Sequence, residues 1–300
     1  MKSKKINDRQ AWQVLAYVFM SVMAVLAVLP FLLMIIGSLT DNEWAIANGF
    51  SYFPKEWSTS AYEYISGSWA TIGKAYGMTI VVTIIGTALS IIVTSMFAYT
   101  LSYTSLPGVK LLNFLTVFTM LFSGGIVASF YIWSNVFHIR DTMWALVFPN
   151  LMMNAFNVIL VKNYYLTSVP GALLEAARID GSSEIRIFWQ IVFPLSMPIV
   201  ATIGLMTAIF YWNDWTNGLY YLSAKNGSQY YTIQLVLNQI NNSITFLSSN
   251  SGSVGGSTAN LPTTTARMAI AVIGVLPIMI AYPFFQKYFA KGITLGAVKG

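Results

Sequence analysis

Charged side chains are so widely spaced in this 300-residue chain that long, mostly apolar runs lie between them. Six of these runs approach or exceed the ~20 residues that a helix needs to cross the hydrocarbon of a bilayer. The uncharged runs occupy residues 10–40, 75–109, 111–139, 142–161, 187–213 and 268–286. The pattern therefore predicts six transmembrane helices, over about residues 12–38, 75–103, 111–135, 142–162, 192–215 and 267–287.

The segments between the predicted spans are more polar and are expected to lie in water. Three loops are predicted over residues 40–73, 163–190 and 216–266, and a tail over residues 288–300. The last loop includes SSNSGSVGGSTANLPTTT, whose Ser, Thr, Gly and Asn residues are typical of a flexible segment. No internal repeat is visible, so residues 1–300 are predicted to form one all-α membrane domain.

Composition and charge strengthen the membrane prediction and orient the chain. Hydrophobic residues make up 56% of the sequence and charged residues only 9%, whereas a soluble domain carries roughly 25% charged residues. The net charge of +6 is interpreted as the basic excess of cytoplasmic loops and not as a nucleic-acid surface. With the N-terminus inside, eleven Lys and Arg residues are cytoplasmic and five are external. Both termini and the loop 163–190 are therefore predicted to be cytoplasmic.

The residues that the sequence lacks exclude several kinds of chemistry. There is no Cys and only one His, His138, which excludes thiolate sites and clusters of His ligands. The nearest approach to a phosphate-binding loop, residues 67–75, has five residues between its glycines instead of four and Ala after the Lys. The acid nearest to a span is Asp214, which weakens the case for a proton-driven carrier. We expect a chain that is not an enzyme and that binds no metal or cofactor itself.

The predicted cytoplasmic loop is the most informative segment, because its sequence indicates two short helices separated by a turn. Ser168 is a candidate cap, Pro170 suits a first helical turn, and Gly181 can adopt the left-handed conformation that ends a helix. Ser182 and Ser183 can cap the helix that follows. Such a helix can lie on lipid or dock on another protein. Its charges are of both signs, which favours docking over binding to anionic lipid.

The same loop resembles a known family. Glu175-Ala176-Ala177, followed by Gly181 and Pro194, resembles the EAA loop of bacterial ABC importer permeases. The string EAARIDGSSEIRIFWQIVFPLSMP is similar to the carbohydrate branch of that family, the maltose-type second permease. The segments MLFSGGIVASFYIW, WNDW, YPFFQKYF and KGITLGAVKG extend the likeness over nearly the whole chain, which is greatest to complex-saccharide importers, including the lipoprotein-type permeases.

This resemblance implies a subunit that imports an oligosaccharide or a polysaccharide-derived sugar across the bacterial cytoplasmic membrane. Two homologous permeases would form the pathway among the membrane lipids, two ATPase subunits would bind ATP and magnesium, and an extracellular binding protein would deliver the saccharide. The residues implied to couple the loop to the ATPase are Glu175, Ala176, Ala177, Asp180 and Gly181. The tail residues implied to contact the ATPase are Lys291, Gly292, Gly296 and Lys299.

Polar side chains within the predicted spans are candidates for the sugar pathway. Asn150, Asn154 and Asn157 are spaced i, i+4 and i+7, so they would share one face of a fourth transmembrane helix. Amides in a bilayer face protein or water, and both hydrogen bonding between helices and lining of the pathway stay open. Three further candidates for a gate, a partner contact or a substrate contact end the fifth span: Trp212, Asn213 and Asp214.

Two other functional classes also stay open. A secondary sugar carrier would work without an ATPase and would usually show inverted repeats. A structural or assembly protein of the membrane would need no transport pathway. The Ser- and Gly-rich residues 248–258 have no predicted role.

Overall fold

The computed structural model describes the backbone of residues 8–249 and 262–297, with side chains from 11 to 246, from 262 to 280 and at 283. Over these residues the chain is helical and forms no strand, apart from an isolated bridge between Thr40 and Trp57. The helices are α1 Asp8–Ser38, α2 Asn42–Asn48, α3 Ser60–Ser66, α4 Trp69–Ser102, α5 Val109–Leu121, α6 Gly125–Tyr131, α7 Trp144–Val147, α8 Ala155–Ser168, α9 Gly171–Ile179, α10 Glu184–Leu195, α11 Met197–Asn213, α12 Thr216–Tyr221, α13 Ile233–Ser249 and α14 Thr263–Ala297.

Three of the described helices are long and apolar enough to cross a membrane. They are Ala11–Ser38 within α1, Trp69–Ser102, which is α4, and Thr263–Ile280 within α14. A fourth is obtained if α10 and α11, which are bent by 81° relative to each other, count as one span. The all-α membrane fold is therefore confirmed for the described residues, while the number of six spans stays a prediction.

Two of the predicted spans are broken, so the single helices expected there are corrected to pairs. In the third span α5 ends at Leu121, and the glycine pair that follows includes Gly125 with φ of +75°. In the fourth span α7 ends at Val147, just before Pro149, and α8 begins only at Ala155. Proline lacks a backbone donor and disfavours helix in the residue before it, which explains the second break.

Helix also occurs where the sequence pattern predicted irregular structure. α13 lies inside the predicted loop 216–266, and α14 continues to Ala297 through most of the predicted tail. α13 carries apolar residues at helical spacing, and Ile233, Val236 and Ile244 are almost completely buried. Because this helix has no charges and many amides, the gaps between charges did not separate it from the Ser- and Gly-rich segment beyond it.

The chain divides into two compact units, of which the first contains residues 1–69 and 239–276. Every side chain from Ala11 to Val28 is exposed within this chain. The carboxylate of Asp41 accepts hydrogen bonds from the backbone of Glu43 and Trp44 and caps α2. The side-chain oxygen of Asn42 accepts the backbone N–H of Thr264 at 3.1 Å, which joins α2 to the start of α14.

The second unit contains residues 70–238 and 277–300 and holds the main apolar core. α4 and α11 approach closely in it because two glycines face large side chains. A Cβ added at Gly86 would lie 2.4 Å from the Tyr211 ring, and one added at Gly204 would lie 2.9 Å from Ile91. Small residues at such contacts are typical of helices packed in membranes, where dispersion contacts replace the hydrophobic effect between helices.

Candidate functional site

The loop between α8 and α11 folds as a helix, a tight turn and a second helix. α9 ends with a pair of hydrogen bonds, from Ser182 N–H to the Ala177 carbonyl at 3.0 Å and from Gly181 N–H to the Arg178 carbonyl at 3.0 Å. This Schellman arrangement requires a left-handed residue after the cap, and Gly181 has φ of +76°. The role predicted for Gly181 in ending the helix is therefore confirmed.

The two helices of the loop have different caps. Ser183 Oγ accepts the backbone N–H of Arg186 and caps α10, as the serines after the turn predicted. The cap predicted at Ser168 is wrong, because Ser168 is the last residue of α8 and Pro170 directly precedes α9. Proline fixes its own φ near the helical value, so it starts α9 without a side-chain cap.

The predicted coupling residues do not all face outward. Glu175, Ala176, Asp180 and Gly181 are exposed. Ala177 is only 9% exposed and belongs to the apolar core of the second unit. Ala177, one of the residues implied to couple to the ATPase, is thus corrected to a packing residue, since its small side chain lets α9 lie against its own chain.

A closed ring of hydrogen bonds joins the two loop helices to the end of α4. Arg178 Nε donates to Glu184 Oε1 at 2.7 Å, and Arg178 Nη2 donates to the hydroxyl of Tyr103. Tyr103 donates to the Tyr99 hydroxyl at 2.6 Å, and Tyr99 donates to Glu184 Oε2 at 2.7 Å. We call these four residues the polar ring.

Aromatic contacts between members of the polar ring add to its hydrogen bonds. The Arg178 guanidinium lies 5.0 Å from the centre of the Tyr103 ring, and the Tyr99 and Tyr103 rings meet edge to face at 5.0 Å. The hydrogen bond from Arg178 lowers the pKa of the Glu184 carboxyl below its ordinary value and raises the pKa of Arg178. Both groups are therefore charged at neutral pH.

A cleft of about 730 Å³ lies beside the polar ring. One wall is the C-terminal end of α4, including Met96 and Thr100, and the other is α10, including Ile185 and Trp189. α4 and α10 are thus separated by open space on this side, and the polar ring connects them at its edge.

None of the four members of the polar ring was predicted from the sequence as a functional residue. Arg178 and Glu184 were visible only as charges on a mixed-sign loop, and Tyr99 and Tyr103 were not among the candidate residues. The sequence signal was a pair of tyrosines spaced i, i+4 at the C-terminal end of an apolar span. Such tyrosines are usually interpreted as part of the aromatic belt at the membrane surface.

The three amides of the predicted fourth span do not share a helical face, which corrects the prediction of a common face and leaves their part in a sugar pathway a prediction. Asn150 lies in the break before α8 with φ of +60°. Asn154 is the N-cap of α8, and its side-chain oxygen accepts N–H groups from Phe156 and Asn157. Asn157 is buried, and its amide donates to Thr207 on α11 at 3.4 Å, as expected of helix–helix hydrogen bonding.

The break before α8 is held by hydrogen bonds from α11 and α12. The Tyr211 hydroxyl donates to the Val147 carbonyl at 2.8 Å, and the Asn217 amide donates to the Pro149 carbonyl at 3.0 Å. Both side chains are buried. The carbonyls freed by the missing helical turn are therefore satisfied, as a buried backbone requires.

The candidates at the end of α11 have mainly local partners. Asp214 Oδ1 accepts the N–H groups of Thr216 and Asn217 at 3.1 and 3.3 Å and so caps α12. The Asn213 amide donates to the Ile209 carbonyl, and the Trp212 ring lies 6.3 Å from the Tyr76 ring. A structural role explains Asp214, while Trp212 and Asn213 stay candidates for contact with substrate.

The predicted tail contacts lie at the limit of the described part of the chain. The backbone of Lys291, Gly292 and Gly296 belongs to α14, and Lys299 lies outside the described residues. Most of residues 248–258 also lie outside them. In the part of the chain that the structure describes, no three His, Asp or Glu residues are grouped to hold a metal ion.

Long apolar helices, with a short exposed loop helix hydrogen-bonded to the end of one of them, define a helical membrane protein. The chain belongs to the family of binding-protein-dependent transport system inner membrane components, whose family model matches residues 96–295. It is an ABC transporter permease and a multi-pass protein of the cytoplasmic membrane.

Individual relatives agree with this family over nearly the full length of the chain. The polygalacturonan/rhamnogalacturonan transport system permease protein YtcP of Bacillus subtilis is 40% identical over 291 residues, covering 96% of this chain and 98% of YtcP. Protein LplC of the same organism is 37% identical over 284 residues, covering 94% of this chain and 92% of LplC.

The fold also matches a solved structure. This is the crystal structure of a bacterial ABC transporter involved in the import of the acidic polysaccharide alginate. The matched chain has a TM-score of 0.73 and 25% sequence identity, with 96% of this chain and 99% of that chain covered.

Proposed function

We propose that this chain is one of two permease subunits of an ATP-driven importer that carries an oligosaccharide or a polysaccharide-derived sugar into the cell. Family membership and the exposed loop helix α9 support the proposal. The names of the relatives, which concern polygalacturonan, rhamnogalacturonan and alginate, support a saccharide as the substrate.

In this proposal α9 docks on the ATPase. Glu175, Ala176, Asp180 and Gly181 form the contact surface because they are exposed on α9 and on the turn that ends it. The side chain of Ile179, which is 86% exposed, adds an apolar group that a partner would cover. The residues from Lys291 to Lys299 would contact the ATPase pair as a second element.

The proposed topology has six spans with both termini and α9 in the cytoplasm. The basic residues support it, since eleven of them fall on the inner side and five on the outer side. The broken helices α5–α6 and α7–α8 would each serve as one span. Non-helical backbone at membrane depth is tolerated where protein satisfies it, as Tyr211 and Asn217 do at the second break.

The proposal requires partners that supply the energy and the substrate. ATP and magnesium would bind to two ATPase subunits, a homologous permease would complete the pathway, and an extracellular binding protein would deliver the saccharide. A secondary carrier, by contrast, would transport sugar without any of these subunits.

The test is reconstitution of the complex in proteoliposomes with and without the ATPase. We expect saccharide uptake only with ATP and the ATPase, and we expect the Glu175→Lys variant to lose ATPase co-purification and uptake while still inserting in the membrane. The Glu63→Lys variant reverses an exposed charge on α3 and should keep the ATPase bound. ATP-independent uptake by this chain alone would favour a secondary carrier.

A further inference from the structure

We infer that Tyr99, Tyr103, Arg178 and Glu184 act as positioning residues that make α4 the membrane helix moved by the docking helix α9. This inference rests on the proposed function, since it concerns how motion at α9 reaches the membrane. It adds the identity of the responding helix and of the side chains that transmit the motion.

The polar ring is the directional connection between α9 and α4. Apolar packing at Ala177 is non-directional and permits α9 to slide or tilt. Arg178 instead reaches Glu184 and Tyr103 with two donors of one rigid guanidinium. Hydrogen bonds of this fork fix both distance and angle, so a displacement of α9 must displace Tyr103 at the cytoplasmic end of α4.

The cleft beside the ring increases the importance of this connection. On the cleft side, α4 and α10 are not in continuous contact between Met96 and Trp189. The Tyr99 hydroxyl, which donates to Glu184 at 2.7 Å, bridges the same two helices at the edge of the cleft. Loss of this hydroxyl would leave α10 and α4 joined by apolar contacts, including that between Tyr99 and Phe188.

The polar ring is better suited to fixing the position of α9 relative to α4 than to stabilising the fold. The side chains of Arg178 and Glu184 are 35% and 54% exposed, and ion pairs this accessible to water contribute little to stability. Tyr99 belongs to the apolar core through its ring, which a change to Phe would keep. Removing the hydroxyl should therefore leave insertion and folding intact.

The experiment compares Tyr99→Phe and Arg178→Lys with the wild type in proteoliposomes that contain the complete importer. We expect both variants to insert and to retain the ATPase, while saccharide taken up per ATP hydrolysed falls by about fivefold or more, the range of coupling changes caused by single substitutions. The matched control is Tyr164→Phe. This variant removes a hydroxyl whose hydrogen bond to the Leu195 carbonyl is long, at 3.5 Å. It should keep the wild-type ratio.

A second measurement follows the motion itself. The sequence contains no Cys, so spin labels can be placed at Ala172→Cys on α9 and Thr100→Cys on α4, two exposed positions. In the otherwise wild-type chain the distance between the labels should stay the same with and without ATP. With Tyr99→Phe added, it should change or broaden in the ATP-bound state.

The outcomes separate this inference from the proposed function. Wild-type coupling in both ring variants, or loss of the ATPase from them, would overturn the inference, since the ring would then transmit nothing or merely shape the docking surface. If Glu175→Lys still abolishes uptake in that case, the proposed function stands. If the wild-type complex itself shows no ATP-dependent uptake, the proposed function fails.

Discussion

Gly181 has a backbone conformation that few side chains tolerate. Its φ is +76°, and a Cβ added there would meet no atom within 4 Å. The cost of a substitution therefore comes from the backbone alone, roughly 1–2 kcal/mol. We predict that Gly181→Val shifts the end of α9, so that the inserted permease loses its ATPase on purification. Gly181→Asn should keep it, because Asn tolerates the left-handed region. Equal loss in both variants would assign the effect to contact with the partner.

Gly86 is constrained by space and not by its backbone. A Cβ there would lie 2.4 Å from the buried Tyr211 ring. Overpacking of this kind typically costs about 1–3 kcal/mol, so Gly86→Ala should lower the temperature at which the detergent-solubilised permease loses its helical circular dichroism signal.

The same helix supplies the control for this substitution. Gly77 is exposed on α4 and has no atom within 4 Å of an added Cβ, so Gly77→Ala should leave that temperature unchanged or raise it. An equal decrease in the two variants would contradict the proposed close approach of α4 and α11.

At the scale of elements, the start of α8 depends on one amide. Asn154 accepts the N–H groups of Phe156 and Asn157, and loss of such a cap costs roughly 1 kcal/mol. We predict that Asn154→Leu lowers uptake and the yield of assembled complex together, whereas Asn154→Ser, which can still cap, keeps both. Normal assembly with selectively lost uptake in the Leu variant would restore Asn154 to the sugar pathway.

Sequence patterns predicted some elements well and others poorly for physical reasons. The turn at Gly181 was predictable because glycine and the following serines are local signals for a helix end and a new cap. Pro149 is a sequence signal for a helix break. The uncharged run continues across it, however, and this run predicted a single helix. α13 was missed because its burial depends on packing that the lack of charge does not reveal.

The polar ring shows the same limit for a site. Arg178 and Glu184 are six residues apart and were visible as charges, but Tyr99 and Tyr103 are distant in sequence. Only the fold brings the end of α4 to the loop. The identity of the saccharide is even harder to predict from this sequence, because contacts with the saccharide depend on the partner subunits as well as on this chain.

For the whole molecule, the sharpest expectation is its orientation in the membrane. We predict that Phe53→Cys, at a position 89% exposed in the loop before α3, reacts with an impermeant maleimide added to intact cells. Ala172→Cys on α9 should react only after the membrane is opened, because the distribution of basic residues predicts that α9 lies inside. Labelling of Ala172→Cys in intact cells would reverse the proposed topology.

The polar ring also has a fixed sense of direction. Arginine can only donate and an ionised carboxylate can only accept, so both tyrosine hydroxyls must point the same way round, from Arg178 towards Glu184. Each side chain of the ring is then oriented by its neighbour, so one substitution removes the hydrogen bonds that hold the other three side chains in this arrangement. The effects of a second and third substitution on transport should therefore be small, a strong departure from additivity. A chain that lost one of these residues would gain little from keeping the rest.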